Sequence, residues 1–406
     1  MFDGKRLSDG AFMRNPAPVI AELREIGEVV ETRIPIVGCV WIAVSHDLAG
    51  RVLKEQDNFS IRKDGKVAGL QWWMPGIFRA LANNMLTVDE PDHKRLRSIV
   101  DEAFRRQAIL DMEPHIEGIA EGMAKALFQG GEPADLVSAY ARQLPLAVIC
   151  EMLGLPSEDR PKFTRWASGL TSVNGILGFI KLVPGLRAMK RYIEYRIREA
   201  EKNGGDGLIA ELVSAKANGA EISDQEVVAM VFLLLVAGHE TTTHLISGAV
   251  FTLLEDTSRR DWLRADWDRA PLAIEEFLRY VAPVQFSKPR FAVRDIKLGD
   301  VQLRRGDMVM AMLVGANLDE ATFEAPNELD MARRANRHIS FGAGIHFCLG
   351  HQLARLEAKS ALRALFTQWP NLELACRPDQ IKWKQRIGLR AIESLPVNSG
   401  SDISKA

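Results

Sequence analysis

One long apolar segment constrains the fold of this chain more than any other feature. Ser223 and Glu226 form the pattern of a helix-capping box, and an almost wholly apolar stretch follows from Val227 to about Leu254. A helix that is apolar on every side has to be covered by other elements. We therefore expect a central helix inside a large, mainly α-helical domain.

The middle of this segment, AGHETTTH from Ala237 to His244, breaks the rules for a buried helix. Gly238 and three successive threonines are poor helix formers. Glu240 is costly to bury unless it has a partner or water. Local rules that are broken inside a buried element often indicate a functional site. The structural alternative is a kink made by threonine hydroxyls.

A second constraint is the sequence FGAGIHFCLG, from Phe341 to Gly350, which precedes a helix-forming stretch. Gly342 and Gly344 permit a tight turn and a close approach to a flat ligand. Cys348 then lies near the start of a helix, where unpaired N–H groups favour a thiolate. A thiolate is a soft, strongly donating metal ligand. The alternative is an ordinary buried cysteine.

The spacing of phenylalanine, glycine and histidine around this cysteine resembles the cysteine loop of the cytochrome P-450 family, the haem-thiolate monooxygenases. The matching residues are Phe341, Gly342, Gly344, His346, Cys348 and Gly350. The resemblance implies that the Cys348 thiolate is an axial ligand of haem iron and promotes O–O cleavage. It also implies the family's fold, which is mainly α with small β-sheets in a single large domain of the triangular-prism type.

The segment AGHET also resembles the family's oxygen-activation motif, in which a small residue, glycine, any residue, an acid and threonine follow each other. The resemblance implies that Ala237 and Gly238 leave room for dioxygen beside the iron. It implies that Thr241 hydrogen-bonds the dioxygen and that Glu240 relays protons from solvent. Thr241 and Glu240 are therefore the predicted catalytic residues.

Four cationic side chains match positions that bind the haem propionates in this family. His93 and Arg97 lie four residues apart on one predicted helix face, Arg290 precedes a strand, and His346 stands two residues before Cys348. Two carboxylates need such donors, and arginine offers two-point geometry. Without the resemblance, His93 and Arg97 would be read as part of a solvated helix face.

Glu276 and Arg279, in the sequence EEFLR, lie three residues apart on one predicted helix face. A surface ion pair is the ordinary interpretation of this spacing. The matching ExxR pair of the family is buried and braces the cysteine loop, often with a third partner in residues 336–338. The resemblance therefore implies a structural role for the pair.

Composition predicts an ordinary globular protein. The chain has 406 residues, 47% hydrophobic and 26% charged, and no Pro/Gly/Ser-rich linker divides it. We expect one domain over 1–406, with a disordered polar tail at about 397–406. The net charge of −1 predicts neither nucleic-acid nor membrane binding. Four cysteines without a CxxC pair indicate neither a zinc site nor a disulfide framework.

The location is predicted from the absence of targeting patterns. The N-terminus lacks the apolar region of a signal peptide. The longest apolar run, Val227 to Gly238, is shorter than the roughly 18 residues that span a bilayer. We expect a cytoplasmic monomer without a transmembrane anchor.

A coarse pass along the chain predicts helices and two β-rich regions. We expect a short helix over 18–29, a hairpin over 33–45 turning at Gly38, and strands over 291–313. Helices fill the region between 116 and 217. We expect breaks in them at Gly130–Gly131, Leu155–Pro156, Pro184–Gly185 and Gly204–Gly205.

The resemblance implies a monooxygenase, an oxidoreductase that inserts one atom of O₂ into a substrate, for example by hydroxylation. It implies haem b (iron protoporphyrin IX) and O₂. Electrons come from a ferredoxin or flavodoxin with its reductase, and so from NAD(P)H only indirectly, because the chain has no Rossmann fingerprint. A haem-thiolate peroxygenase and a non-enzymatic haem sensor are the alternatives. Thr241 and Glu240 favour the monooxygenase, because only that reaction needs a proton relay.

The substrate and the docking face are predicted by position against the family. The predicted pocket residues are Trp72, Leu233, Val236, Ala237, Phe286 and Ile387. They are apolar, so a lipophilic small molecule is expected, such as a terpenoid, steroid, fatty acid or aromatic compound. Four arginines, Arg95, Arg105, Arg106 and Arg355, are predicted to form a basic patch that steers an acidic electron donor.

Overall fold

The structure is a computed structural model of the chain. It describes residues 1–34, 37–63, 66–67, 77, 81, 83–171 and 175–400. Within these ranges helices predominate and the strands are short. The predicted fold class, mainly α with small β-sheets, is confirmed.

The α-helices of the described residues are numbered in chain order. They are α1 (Gly10–Arg14), α2 (Ala17–Ile26), α3 (His46–Lys54), α4 (Asp92–Val100), α5 (Arg106–Asp111), α6 (Glu113–Ala126), α7 (Gln143–Met152), α8 (Arg160–Thr171), α9 (Gly175–Asn203), α10 (Leu208–Ala217), α11 (Asp224–Glu255), α12 (Thr257–Arg264), α13 (Ala270–Val281), α14 (Leu313–Asn317) and α15 (His351–Gln368). Short 3₁₀ turns include Met85–Thr87, Trp267–Arg269 and Gly344–His346.

The strands of the described residues are numbered in the same way. They are β1 (Phe2–Asp3), β2 (Val29–Ile34), β3 (Gly38–Ala43), β4 (Phe59–Ser60), β5 (Arg62–Lys63), β6 (Lys66–Val67), β7 (Ala134–Asp135), β8 (Arg290–Ala292), β9 (Ile296–Leu298), β10 (Val301–Leu303), β11 (Met308–Ala311), β12 (Glu373–Leu374) and β13 (Pro396–Asn398).

The largest sheet has six strands in the order β1-β2-β3-β11-β8-β4. Strands β2 and β3 form an antiparallel hairpin, as predicted, but β2 begins four residues before the predicted range of 33–45. Gly38 is the first residue of β3, opposite Ile34, and not the turn itself. The second β-rich region supplies β8 and β11 to this sheet, while β9 and β10 form a separate hairpin. One face of the sheet packs on α3 through a cluster of buried residues that includes Val52, Val309 and Ala311.

The chain divides into two compact units. The first comprises Met1–Ile61, Leu110–Leu144 and Thr241–Ala406, and the second comprises Arg62–Ile109 and Pro145–Glu240. The first unit holds the six-stranded sheet and the packing of α15 against α6. In the second unit α9 packs against α8 and α10, with the rings of Phe163 and Tyr192 meeting edge to face at 5.1 Å. The single domain over 1–406 stays a prediction.

The long apolar segment folds as helix α11, and about three and a half turns of it precede the AGHETTTH sequence. The capping box forms at its start, where the Ser223 N–H donates to Glu226 Oε2 at 2.8 Å and the Glu226 N–H donates to Ser223 Oγ at 3.3 Å. The whole of α11 is long and apolar enough to span a bilayer, although its continuous apolar run from Val227 to Gly238 is too short by itself. It is 61% buried inside the protein over its most apolar window, as expected for a core helix.

Two expectations about the chain's organisation are wrong. No break occurs at Pro184, because α9 continues from Gly175 to Asn203 with this proline inside it and is supported by α8 and α10. The polar tail also begins later than residue 397. Val397 and Asn398 belong to β13, and the N–H of buried Ser399 donates to Glu132 Oε1 at 2.9 Å. Residues 401–406 lie outside the described part of the chain.

Candidate active site

The cysteine loop is a tight backbone turn closed on itself. Gly342 and Gly344 both have a φ of +72°, the left-handed region that favours glycine. The Cys348 N–H donates to the Phe341 carbonyl at 2.9 Å, and the Gly342 N–H donates to the Ile339 carbonyl at 2.9 Å. These bonds fix the direction in which the cysteine leaves the loop.

Gly344 is required for a second reason, which is the docking of the loop on α3. A Cβ at Gly344 would lie 2.4 Å from the Leu53 carbonyl oxygen and 3.2 Å from the Lys54 Cα. The close approach that the sequence predicted at this glycine is therefore to protein backbone. At Gly342 the space is open, because the nearest atom to a Cβ there is the His346 carbonyl oxygen at 3.9 Å.

Cys348 is a partly accessible cysteine. Helix α15 begins three residues later, with Gly350 as its N-cap. The loop around the cysteine is apolar but not covered, since Ile345 and Leu349 are partly accessible and Phe347 is 36% exposed. An apolar, accessible loop with one thiol near a helix N-terminus fits a flat apolar ligand that carries a metal.

Glu276 and Arg279 form a buried ion pair on α13, with both side chains 0% exposed. Arg279 donates twice to the carboxylate, from Nε to Oε2 at 2.8 Å and from Nη2 to Oε1 at 2.7 Å. Its remaining donors reach three backbone carbonyls, those of Asn317, Pro326 and Glu328, at 2.6–3.0 Å. Because every donor has an acceptor, the charge is tolerated in the core.

The Glu276 carboxylate also anchors the segment that leads to the cysteine loop. It accepts hydrogen bonds from the Asp330 N–H at 2.9 Å, from Arg333 Nε at 3.2 Å and from Asn336 Nδ2 at 3.0 Å. Asn336 lies in the range where the sequence placed a third partner, whereas Arg333 was not anticipated.

A second carboxylate, Glu275, was missed by the sequence reasoning. It accepts from Arg355 of α15 at Oε1 (2.5 Å) and Oε2 (2.8 Å), and it lies 3.1 Å from His338 Nε2. Burial opposes ionisation, but the hydrogen bonds from Arg355 and His338 outweigh it and hold the pKa of Glu275 at about 2. The only sign of this second carboxylate in the sequence was the pair of adjacent glutamates in EEFLR.

Helix α11 presents one accessible stripe in the middle of an otherwise buried element. The stripe comprises Leu233, Val236, Ala237, Glu240 and Thr241, of which Ala237 is exposed and the others are partly accessible. Steps of three and four residues place all five on one helix face. Residues 227–231 and 242–254 are buried on every side. Within residues 227–254 the accessible positions of the helix therefore all lie between Phe232 and Thr241, a range that overlaps the first half of AGHETTTH.

Comparison with known proteins decides the family. The cytochrome P450 family model matches residues 186–384. Polyketide biosynthesis cytochrome P450 PksS of Bacillus subtilis (strain 168) is 35% identical over 395 residues, which cover 95% of this chain and 96% of PksS.

The chain belongs to the cytochrome P450 family.

Other members agree with this assignment. Vitamin D(3) 25-hydroxylase of Pseudonocardia autotrophica is 34% identical, with 97% of this chain and 96% of that protein covered. The structure of myxobacterial cytochrome P450 CYP267B1 in complex with myristic acid matches with a TM-score of 0.89 and 34% identity, covering 97% of this chain and 98% of that one. As a P450, the protein is a haem-thiolate oxygenase that uses haem iron and O₂.

Gly238 of this P450 packs tightly against a neighbouring helix. A Cβ at Gly238 would lie 3.2–3.3 Å from the Ile149 side chain of α7. Beside it, His239 is buried and its Nδ1 lies 2.5 Å from the Leu235 carbonyl, which fixes Nδ1–H as a donor. Gly238 thus permits close packing of α11, a function that the sequence reasoning did not assign to it.

The predicted propionate donors lie on three elements. His93 and Arg97 project from one face of α4, where His93 is buried and Arg97 is partly accessible. Burial lowers the pKa of His93, and Arg97 adds to this, while Glu90 opposes it. Arg290 is buried at the start of β8, and His346 ends the 3₁₀ turn of the cysteine loop.

The predicted pocket residues of the first unit lie on two segments joined by a backbone hydrogen bond. Phe286 is buried and Ile387, in a turn, is partly accessible. The N–H of Gln285, next to Phe286, donates to the carbonyl of Gly388, next to Ile387, at 3.0 Å. Leu233 and Val236 lie on the stripe of α11. Trp72 lies outside the described residues.

Three of the four arginines of the predicted basic patch form ion pairs, and the fourth, Arg106, is exposed at the start of α5. Arg95 binds Glu226 at 2.6 Å, and Arg355 is held by Glu275. Arg105 pairs with Glu102, although both remain exposed. Each pair offsets one positive charge, so the patch is less basic than the sequence alone indicates.

Proposed function

We propose that this P450 is a monooxygenase that inserts one oxygen atom into a lipophilic small molecule. In this proposal a separate ferredoxin or flavodoxin, with its reductase, delivers electrons singly, and NAD(P)H supplies them indirectly. The accessible stripe of α11 carries the proposal, because it aligns an acid and a threonine with apolar residues on one helix face. A peroxygenase or a haem sensor has no need for an acid and a hydroxyl together on that face.

Cys348 is the residue whose thiolate would hold the iron of haem b. Bound haem with a thiolate ligand supplies the reductive activation of O₂. The loop prepares the thiolate for this function, since its backbone is fixed by the bond to Phe341 and α15 begins beside it. Phe341, Gly342 and Gly350 complete the proposed contact surface for the haem. Glu276 and Arg279 hold the segment that leads into this loop.

Glu240 and Thr241 are the proposed proton-transfer residues. Both lie on the accessible stripe, so a proton can pass between the carboxyl of Glu240 and the hydroxyl of Thr241 at the open face. The neighbouring His239 cannot compete through Nδ1, because that atom is committed to the Leu235 carbonyl. Ala237, with its small side chain, keeps the space in front of the threonine free for O₂, and Gly238 keeps α11 close to α7.

His93, Arg97, Arg290 and His346 are the proposed propionate donors. Because burial lowers the pKa of His93, this side chain contributes a neutral N–H donor before the cofactor binds. The two arginines then carry the permanent positive charge that compensates the carboxylates.

The proposed substrate is lipophilic because the candidate lining residues are apolar. Within the described part of the chain the proposed lining residues are Leu233, Val236, Ala237, Phe286 and Ile387, and Trp72 is proposed from the sequence. The relatives' names are consistent with this class, since they mention polyketide biosynthesis, vitamin D(3) and myristic acid. We place the enzyme in the cytoplasm, as a monomer.

Two measurements test the proposed function. The reduced carbon-monoxide complex should show the red-shifted Soret band of thiolate ligation, and Cys348→Ser should lose it while Cys376→Ser, another partly accessible cysteine, keeps it. With ferredoxin, reductase and ¹⁸O₂, the product should carry one ¹⁸O atom. Product formed with hydrogen peroxide alone, at the rate of the reconstituted system, would identify a peroxygenase instead.

A further inference from the structure

A β-bulge lies between a predicted pocket residue and a predicted propionate donor. Phe286 pairs with Met312, and Arg290 pairs with Val309. Between these pairs the first strand has residues 287–289, whereas the second has only residues 310–311. One extra residue on one strand is the definition of a bulge, which bends the strand and redirects a side chain.

Ser287 fixes the bulge. Its N–H donates to the Ala311 carbonyl at 2.9 Å, and its hydroxyl accepts from the Ala311 N–H at 2.9 Å while donating to the Lys288 carbonyl at 3.0 Å. Pro289 follows and has no N–H to offer to the ladder. The backbone of Lys288 is therefore held outside the regular pairing by defined contacts.

The Lys288 side chain is accessible although protein atoms surround it. The residue is exposed, although Phe286 and Arg290 on either side are buried at 4% and 2% exposure. Burial among protein atoms nevertheless lowers the pKa of its ammonium group, and no carboxylate opposes that change. From an accessible side chain that protein atoms nevertheless surround, we infer a cavity at this position. In the part of the chain that the structure describes, no ion pair or side-chain hydrogen bond involves this ammonium.

The geometry points to Lys288 as the binding site for a carboxylate in the cavity beside Arg290. A desolvated ammonium without a partner is unfavourable, and a carboxylate compensates it with a charge-assisted hydrogen bond. This inference depends on the proposed function, because it takes the cavity to be the one that holds haem and substrate. The carboxylate belongs either to an acidic lipophilic substrate, with its apolar part near Phe286, or to a haem propionate.

The first experiment tests the substrate carboxylate. Ferric holoenzyme is titrated with tetradecanoic acid and with its methyl ester, and binding is followed by the change in the Soret band. If the substrate supplies the carboxylate, the wild type prefers the acid by about tenfold or more. Lys288→Met then loses this preference and Lys288→Arg retains it. Lys297→Met, at a lysine that is 66% exposed, serves as the control and keeps the preference.

The second experiment tests the haem propionate. Haem transfer to excess apomyoglobin is timed for the same variants, and the far-ultraviolet circular dichroism confirms their fold. If the propionate is the partner, Lys288→Met loses haem severalfold faster than Lys288→Arg and Lys297→Met, with the acid-to-ester ratio unchanged.

The inference is overturned if neither the acid-to-ester ratio nor the haem transfer rate differs between wild type and Lys288→Met. The carbon-monoxide spectrum of the reduced protein separates this failure from failure of the proposed function. A thiolate-type band in both proteins leaves the haem-thiolate assignment standing, whatever Lys288 does.

Discussion

Arg355 joins the helix after the cysteine to the helix of the ExxR pair by a two-point bond to Glu275. Its Nη2 lies 2.8 Å from Glu275 Oε2, and its guanidinium carbon lies 4.6 Å from the centre of the Phe341 ring. His338, from the segment that enters the cysteine loop, lies against the same carboxylate. Both ends of the loop are therefore tied to one side chain of α13.

Arg355→Met should loosen this attachment. We expect a loss of about 1–2 kcal/mol in the free energy of unfolding, because a charge-assisted, partly buried bond is removed.

The pKa of Glu275 lies below its unfolded value, so the stabilisation is fully present above about pH 5 and is lost as the pH falls towards 2. Thermal unfolding between pH 4 and 7 measures this. The matched control is Arg363→Met on the same helix, where the arginine is 52% exposed. An equal loss in both variants would contradict the prediction.

Arg279→Lys should lower the free energy of unfolding far more than an exchange between two cationic residues usually does. A lysine cannot replace the two-point bond to Glu276 and the three bonds to backbone carbonyls at once, so a buried carboxylate is left poorly paired. We expect a loss of about 3 kcal/mol or more, measured by denaturant unfolding and by haem content after expression. Arg269→Lys, at a 38% exposed arginine that pairs with Asp266, is the control. If Arg279→Lys unfolds at the same denaturant concentration as the wild type, Arg279 does not brace the cysteine loop.

Glu357 makes the stability depend on pH in the opposite direction from Glu275. It is buried on α15, and burial raises the pKa of its carboxyl to about 8 while the Thr242 hydroxyl partly opposes this. The folded state therefore holds a proton that the unfolded state releases, and the free energy of unfolding falls as the pH rises from about 4.5 to 8.

Glu357→Gln keeps a neutral side chain of similar size and should remove this dependence. Between pH 6 and 8 the variant should gain up to about 2 kcal/mol relative to wild type. Thermal unfolding at the two pH values measures the difference. Parallel pH profiles for the two proteins would show that Glu357 is not a buried neutral acid.

Thr241→Ala should uncouple NADPH consumption from product formation. Loss of the hydroxyl on the accessible stripe removes a proton donor, so we expect product per NADPH to fall about tenfold or more and peroxide to rise. Haem content should not change. Thr252→Ala is the control on the same helix, since that hydroxyl donates to the Gly248 carbonyl at 2.8 Å inside the buried part. Unchanged coupling in Thr241→Ala would remove this residue from the relay.

The order and type of the main elements could be predicted because their patterns are local. The apolar run with its capping box predicted α11, and the β-rich run around Gly38 predicted the hairpin of β2 and β3. The break at Pro184 could not be predicted correctly, because packing of α9 on its neighbours overrides the local effect of proline. The tail was misplaced for the same reason, since β13 pairs with β7 across more than 250 residues of chain.

The sequence by itself determined the chemistry of the site: one cysteine in a glycine-containing loop, an acid followed by threonine in an apolar helix, and the ExxR pair. These motifs are short, so their residue types can be read from neighbouring positions. Only the tertiary structure decided which side of α11 is accessible, that Gly344 serves docking on α3, and that Glu275 is held by Arg355 and His338. Such facts depend on contacts between distant segments, and a side chain's burial and partners are set by those contacts rather than by its neighbours in the chain.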